Sequence, residues 1–430
     1  MQQPATVQTG VSVRRVAAAS LIGTTIEWYD FFLYGTAAAL IFNQLFFPSF
    51  SPLAGTLAAY ATFAIGFIAR PLGGILFGHF GDRIGRKRML VMSLMIMGAA
   101  TTAIGVLPTY SQAGLLAPVL LVVLRFAQGI AIGGEWGGAV LMATEHAPVG
   151  KRGYFGSWPQ MGVPAGLLLS TGAFRLVSQT LSPEQFLAWG WRIPFAASIV
   201  LVAVGVFIRI SLVESPAFRA MEKQGGAVAI PLLELLRASK RNVTLAMGSF
   251  FLANGSFYLL MTFMLSYGTT QLKLPRGVIL NAVLVSALVQ LFAIPFFASL
   301  SDKVGRRPVY LGGALFMALF AFPLFWLVDS GSGLGMTIAL TLGQVGVAAM
   351  YGPQAAFFTE LFGTNVRYSG ASLGYQMASI FAGGLSPFIA TALLAGAGNA
   401  SWPISLYIIA MAAITLVSVY LAAETYQRDV

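Results

Sequence analysis

The chain has 430 residues, of which 57% are hydrophobic and only 9% charged. A soluble domain is about a quarter charged, so a soluble enzyme is excluded, and the aliphatic and aromatic content excludes disorder. There is no Cys and only His79 and His146, which leaves no disulfide framework, no thiol nucleophile and no histidine- or cysteine-built metal centre.

Runs of the ~20 apolar residues needed to cross a bilayer predict twelve spans, near 16–42, 54–78, 89–107, 116–143, 153–178, 192–210, 241–269, 277–300, 308–328, 335–361, 369–395 and 402–422. The opening run after Arg14 and Arg15 outlasts the core of a signal peptide and contains Glu27 and Asp30, so an uncleaved first span is expected. With the N-terminus inside, 19 of the 25 basic residues fall in inward segments, while Arg70, Arg125 and Arg175 fall within spans. That is the positive-inside bias of a polytopic protein, with both termini cytoplasmic. The net charge of +11 therefore encodes topology, and no nucleic-acid partner is expected.

Four features recur in order. GHFGDRIGRK from Gly78 returns as ASLSDKVGRR from Ala298, and Thr144-Glu145 with Arg152 returns as Thr359-Glu360 with Arg367. Glu214 is matched by Glu424 and Gln128 by Gln344. The offsets stay close to half the chain, so the sequence is a duplication. Six spans per copy make the repeats parallel, a recurrent transporter design. The expected organisation is a cytoplasmic tail at 1–15, a six-helix bundle at 16–210, a cytoplasmic linker at 211–240 with a short amphipathic helix from Pro231 to Arg237, a second six-helix bundle at 241–423, and a tail at 424–430.

These motifs carry a resemblance. The loops at Asp82 and Asp302 resemble the hallmark loops of the major facilitator superfamily, and EHAP from Glu145, KRG from Lys151 and ESP from Glu214 resemble the ends of its helices 4 and 6. IEWYDFF from Ile26, RFAQG from Arg125, GGEWGG from Gly133 and WGWRIP from Trp189 are similar to the metabolite:proton symporters, which include shikimate, α-ketoglutarate, citrate and proline/betaine carriers. The resemblance covers nearly the whole chain. It implies an all-α polytopic fold of twelve transmembrane helices in two parallel-repeat six-helix bundles, acting as a monomer in the bacterial inner membrane. Ala298 departs from the usual Gly, and Lys303 from the usual Arg.

Ionisable groups within spans are costly and mark function by default. The first six spans contain Glu27, Asp30, Arg70, Arg125, Glu135 and Arg175, and the cores of the last six contain none. Glu27, Asp30 and Tyr34 share a polar stripe on helix 1. Arg125 and Glu135 are ~15 Å apart along helix 4, so each needs a partner elsewhere. Glu27 or Asp30 is the expected counter-ion of Arg125, and Arg70 is expected to pair with Glu135. Arg175, near an outer end, is expected to snorkel. Burial disfavours an ionised carboxylate and a nearby guanidinium favours it, so protonation of Asp30, or of Glu27, would switch the pair with Arg125.

Substrate contacts are expected from Tyr34, Gln128, Trp136, Asn254, Tyr258, Gln290, Gln344, Tyr351, Tyr375 and Gln376. A cytoplasmic gate is expected from Asp82, Arg83, Arg86, Glu145, Arg152 and Glu214 and their repeats Asp302, Arg306, Arg307, Glu360, Arg367 and Glu424. No phosphate-loop pattern is present, and no cofactor or metal is expected. The expected function is proton-coupled symport of a small organic acid or polar metabolite by alternating access, with a small molecule, protons and the lipid bilayer as partners. The alternatives are an uncoupled facilitator or exporter of the same fold and, from another class, a membrane-embedded solute sensor.

Overall fold

A computed structural model describes residues 13–84, 86–211, 232–362 and 367–427. Among them, nine helices are long and apolar enough to cross a membrane: Pro52–Phe77, Leu116–Glu145, Arg152–Thr180, Ser239–Thr270, Arg276–Val304, Arg306–Asp329, Gly333–Leu361, Gly370–Gly396 and Trp402–Leu421. A tenth is the pair Pro183–Gly190 and Arg192–Ile208, bent by 47°. Two more complete the twelve. Val13–Leu40 is 28 residues long, its hydropathy lowered by Glu27 and Asp30, and Arg86–Gly105 carries its apolar stretch over Val91–Gly105. In chain order these are spans 1 to 12. Helices satisfy every backbone group internally, which hydrocarbon demands. Span 7 is preceded by helix from Leu232, set off by a kink at Ser239.

Close helix packing rests on small residues. Gly129 and Gly133 of span 4 lie on the backbone carbonyls of Gly66 and Arg70 in span 2, and Gly73 faces the Ile130 carbonyl. Gly162 and Gly166 of span 5 lie against Thr24, Thr25 and Trp28 of span 1. Without a hydrophobic drive between helices in lipid, such van der Waals contact holds a bundle together. Gly305, at φ +104° between spans 8 and 9, takes a backbone conformation that favours glycine, with the Glu424 carboxylate beside it.

The two bundles touch along spans 5 and 8 and are tied at both ends. At the basic end, named for its Lys and Arg, Asp302 accepts hydrogen bonds from the Gly153 and Tyr154 amides at 2.8 and 2.9 Å. These amides open span 5, so a carboxylate of the second bundle sits on a helix N-terminus of the first, where dipole and free N–H groups favour an anion. At the opposite end the Tyr60 hydroxyl of span 2 meets Ser266 Oγ at 2.7 Å and the Thr262 carbonyl at 3.2 Å. Thr262 lies in a π-helical turn, Leu259–Phe263, that interrupts span 7. Arg175 donates to Asn281 Oδ1 at 3.0 Å. Instead of snorkelling, as expected, it bridges spans 5 and 8. Each end thus carries bonds that tie the two bundles together.

Two outcomes follow from this packing. Gly133→Ala should lower the melting temperature, since added volume in a tight contact costs about 1–3 kcal/mol; an unchanged melting curve would contradict the contact. Asp302→Asn removes a charge-assisted link worth about 1.5–3 kcal/mol. A lone thiol placed at the buried Ala355 in this cysteine-free chain should then be alkylated by a membrane-impermeant reagent roughly tenfold faster, and equal rates would refute the latch.

Candidate solute and proton site

Between the two bundles lies a pocket with about 270 Å³ of empty space, partly open to its surroundings. Trp28 of span 1 and Val163 of span 5 are the first bundle's part of its wall. The second bundle contributes Phe250, Ala253, Asn254, Phe257 and Tyr258 from span 7, Val347 and Tyr351 from span 10, and Tyr375 from span 11. The interrupted helices put these groups there: π-helical turns at Leu259–Phe263 and Ser379–Gly384 follow directly on Tyr258 and Ala378. Such turns recur at functional sites because they re-aim side chains and loosen the backbone ladder. Asn254 Nδ2 has no hydrogen-bond partner among the described residues. The lining is aromatic with a few polar handles, as small-molecule sites are.

The charges stand one side-chain layer behind this wall. Arg70 and Arg125 are both fully buried, and the Phe31 ring lies under both, 4.5 Å from the Arg70 guanidinium and 4.2 Å from that of Arg125. Phe67 and Trp28 complete the surround of Arg70 at 4.2 and 5.5 Å, and Tyr34 and Phe63 that of Arg125 at 4.2 and 4.9 Å. Desolvated cation–π contacts of this kind contribute about 2 kcal/mol or more. They satisfy charge but not hydrogen bonding: Arg125 Nη1 donates to Gln128 Oε1 at 3.1 Å, while Nε and Nη2 of both arginines lack acceptors among the described residues.

The expected ion pairs are not made. Arg125 meets neither Glu27 nor Asp30, because the Phe31 face of span 1 is turned toward it. Asp30 instead accepts from Ser198 of span 6 at 2.5 Å and lies against the Thr101 hydroxyl of span 3. Among the described residues no ion pair joins Arg70 and Glu135. The backbones of spans 2 and 4 touch at Arg70 and Gly133, which sends the Arg70 side chain away toward span 1, whereas Glu135 sits at the break between Leu116–Gly133 and Trp136–Glu145 and makes other interactions.

The substrate residues expected from sequence divide into three groups. Asn254, Tyr258, Tyr351 and Tyr375 come together around the cavity. Trp136 and Gln376 stand outside its lining: Trp136 stacks on the lining residue Tyr375 at 4.1 Å and donates to Gln160 at 2.9 Å, and Gln376 donates to the Gly133 carbonyl at 3.1 Å. Tyr34, Gln128, Gln290 and Gln344 are off the wall. Tyr34 donates to Thr62 at 2.7 Å and Gln128 serves Arg125, while the amides of Gln290 and Gln344 have no partner among the described residues.

The gate residues also sort differently from expectation. Arg306 is buried, donating to Asp302 at 2.6 Å and to both Glu360 oxygens at 3.0 and 3.1 Å. Glu360 accepts in addition from Thr425 at 2.7 Å, and Glu424 takes the Arg306 and Arg307 amides at 3.0 Å each. Arg307 donates to the Val419 and Tyr420 carbonyls. These bonds knit the second bundle internally, because Arg306 opens span 9 and points into its own bundle; among the described residues, Asp302 is the gate group bonded across the divide. Glu145 and Arg152 make further contacts. The side chains of Asp82, Arg83, Arg86 and Arg367, and all of Glu214, lie outside the described residues.

Thr101, Ser198 and Gln160 were missed by sequence reading, since hydroxyls and amides leave no charge signal. Phe31 stands in the IEWYDFF run next to Asp30, and the hundred-degree step between the two on one helix was the available clue.

The Major Facilitator Superfamily family model matches residues 21–387. The chain is 44% identical over 421 residues to a shikimate transporter of Escherichia coli (strain K12), covering 96% of this chain and 95% of that protein. It is 42% identical over 423 residues to the inner membrane metabolite transport protein YhjE of the same organism, covering 97% and 96%. Among solved structures, a D-xylose-proton symporter superposes with a TM-score of 0.77 at 18% identity, covering 97% of this chain and 99% of that one. Twelve helices in two tied bundles with a pocket between them, a family match over residues 21–387 and relatives along nearly the whole length make this chain a member of the major facilitator superfamily, a multi-pass membrane transporter and not an enzyme.

Proposed function

We propose that this transporter moves a small hydroxylated carboxylate together with a proton, inward across a bacterial inner membrane, with both termini in the cytoplasm. The observation that carries the reading is the pair of fully buried guanidiniums, each with undonated N–H groups and no carboxylate bonded to either among the described residues. A buried charged donor left unpaired is expensive, and an incoming carboxylate supplies the missing forked acceptor. The similarity to a shikimate transporter supports a hydroxylated acid, whose hydroxyls suit Asn254 and the tyrosines.

Alternating access follows as rocking of the bundle at 16–210 against that at 241–423, tethered by 211–240. The Asp302 and Tyr60 ties would open in turn. Asp30, in reach of two hydroxyls and, among the described residues, of no cation, is proposed to carry the proton. With Asp30 neutral, the site is more positive and the anion binds better. With it ionised, the anion is released. The cavity lies within one chain, which supports a monomeric carrier.

In proteoliposomes loaded at two pH units above the medium, a gradient worth about 2.7 kcal/mol, labelled shikimate should accumulate up to ~100-fold at one proton per solute. Asp30→Asn should abolish accumulation while retaining exchange across the membrane. Equal accumulation with and without the gradient would reject coupling, and full accumulation by the Asn variant would reject Asp30. Arg125→Gln should weaken shikimate binding by roughly 10- to 150-fold, the loss of one charged hydrogen-bonding partner, measured by titration calorimetry.

A further inference from the structure

Asp30 and Arg125 are not in contact, yet a continuous run of side chains joins them. Arg125 Nη1 donates to Gln128 Oε1 at 3.1 Å, and Gln128 Nε2 donates to Thr101 Oγ1 at 2.8 Å. The Thr101 hydroxyl lies against Asp30 but donates to the Met97 carbonyl at 2.9 Å. Asp30 Oδ2 consequently lacks a donor among the described residues, while Oδ1 is held by Ser198. Asp30, Thr101, Gln128 and Arg125 are all fully buried. Resting on the proton-coupled reading above, we infer that the Thr101 hydroxyl is a two-position rotor that transmits the protonation state of Asp30, through Gln128, to Arg125.

The sign follows from donor and acceptor rules. When Asp30 is ionised, the Thr101 O–H turns from Met97 to Oδ2. That polarises Oγ1, makes it a better acceptor for Gln128, and fixes Gln128 and with it Arg125. When Asp30 is protonated, its own O–H donates to Oγ1 and Thr101 donates back to Met97. Oγ1 then shares its lone pairs between two donors, the Gln128 bond weakens, and Arg125 is released to meet a substrate carboxylate. Proton binding thereby raises anion affinity, as symport requires.

Among the described residues, the groups that bear on Asp30 are few. Thr101 from span 3 and Ser198 from span 6 are uncharged, and Glu27 and Tyr29 flank it on span 1. Arg70 and Arg125, from spans 2 and 4, stand on the Phe31 side, with Glu135 at the break in span 4. Span 5 carries its arginines, Arg152 and Arg175, at its two ends. Arg192, opening span 6, is engaged by the Gly105 and Leu107 carbonyls. Tyr258, from span 7, meets Phe31 and Phe32. Through-space coupling of Asp30 to Arg125 is the competing explanation, and it is independent of the Thr101 hydroxyl.

The test is the pH dependence of shikimate affinity in the purified full-length protein. One linked proton makes the wild-type dissociation constant rise toward tenfold per pH unit across the titration of Asp30. Thr101→Val, which keeps shape and removes the hydroxyl, should reduce that slope to less than about twofold per unit, and Thr101→Ser should restore it. Gln128→Met, cutting the next link, should reproduce the Val result. A Val variant with the wild-type slope overturns the rotor. Asp30→Asn separates the two claims: a flat profile there with a full slope in Thr101→Val sinks the rotor alone, whereas an undiminished slope in Asp30→Asn sinks the proton-coupled reading and the rotor with it.

Discussion

Two guanidinium groups held out of water on one phenyl ring set the terms for the rest of this molecule. Arg70 and Arg125 share Phe31, and hydrocarbon-like surroundings make each of their unfilled donors costly. Aromatic faces supply part of the compensation without supplying an acceptor. On the proposed function, a site built this way is what draws an anion. The close glycine contacts between spans 2 and 4 are part of the same construction, since the backbone approach at Gly66, Gly129 and Gly133 places both arginines on the inward side of span 1.

The second bundle answers with a different chemistry. Its buried ion pairs among the described residues lie at the basic end, where Arg306 is matched by Asp302 and Glu360, and its middle is aromatic and amide-lined. The division of labour suits two bodies that must move past one another. A bundle whose ion pairs are internal can rock as a unit, and its ties across the divide include a carboxylate on a helix end, a tyrosine on a freed carbonyl and the Arg175–Asn281 bond, each of which breaks without stranding a buried ion pair. The π-helical turns of spans 7 and 11 lie beside the cavity, at the level where such a motion needs compliance.

Much of this was legible in the sequence because a bilayer leaves few choices. Span positions follow from apolar run length, the duplication from the recurring loops at Asp82 and Asp302, and helix contacts from the Gly129/Gly133 and Gly162/Gly166 spacings. Span 1 was readable as a helix despite its low hydropathy because Glu27, Asp30 and Tyr34 keep helical spacing. What periodicity could not supply was the neighbour of each face. Asp30 and Phe31 are adjacent in sequence and a hundred degrees apart on the helix, and only packing decides which of them meets Arg125. Glu360 and Arg306 read as gate groups because their spacing in sequence hides a contact made within one bundle, between spans 9 and 10. Hydroxyl partners such as Thr101 and Ser198 carry no signature against a background of similar residues.

The central claim is that a proton and an anion occupy one site with opposite requirements, the anion on the arginines and the proton on Asp30. Its most direct test needs no imposed gradient. Wild-type protein is reconstituted in lightly buffered vesicles, shikimate is added outside, and the external pH is followed with a dye. The account predicts that the medium becomes more alkaline in step with solute entry, at a fixed ratio of protons to solute. Solute entry with no movement of protons would contradict it.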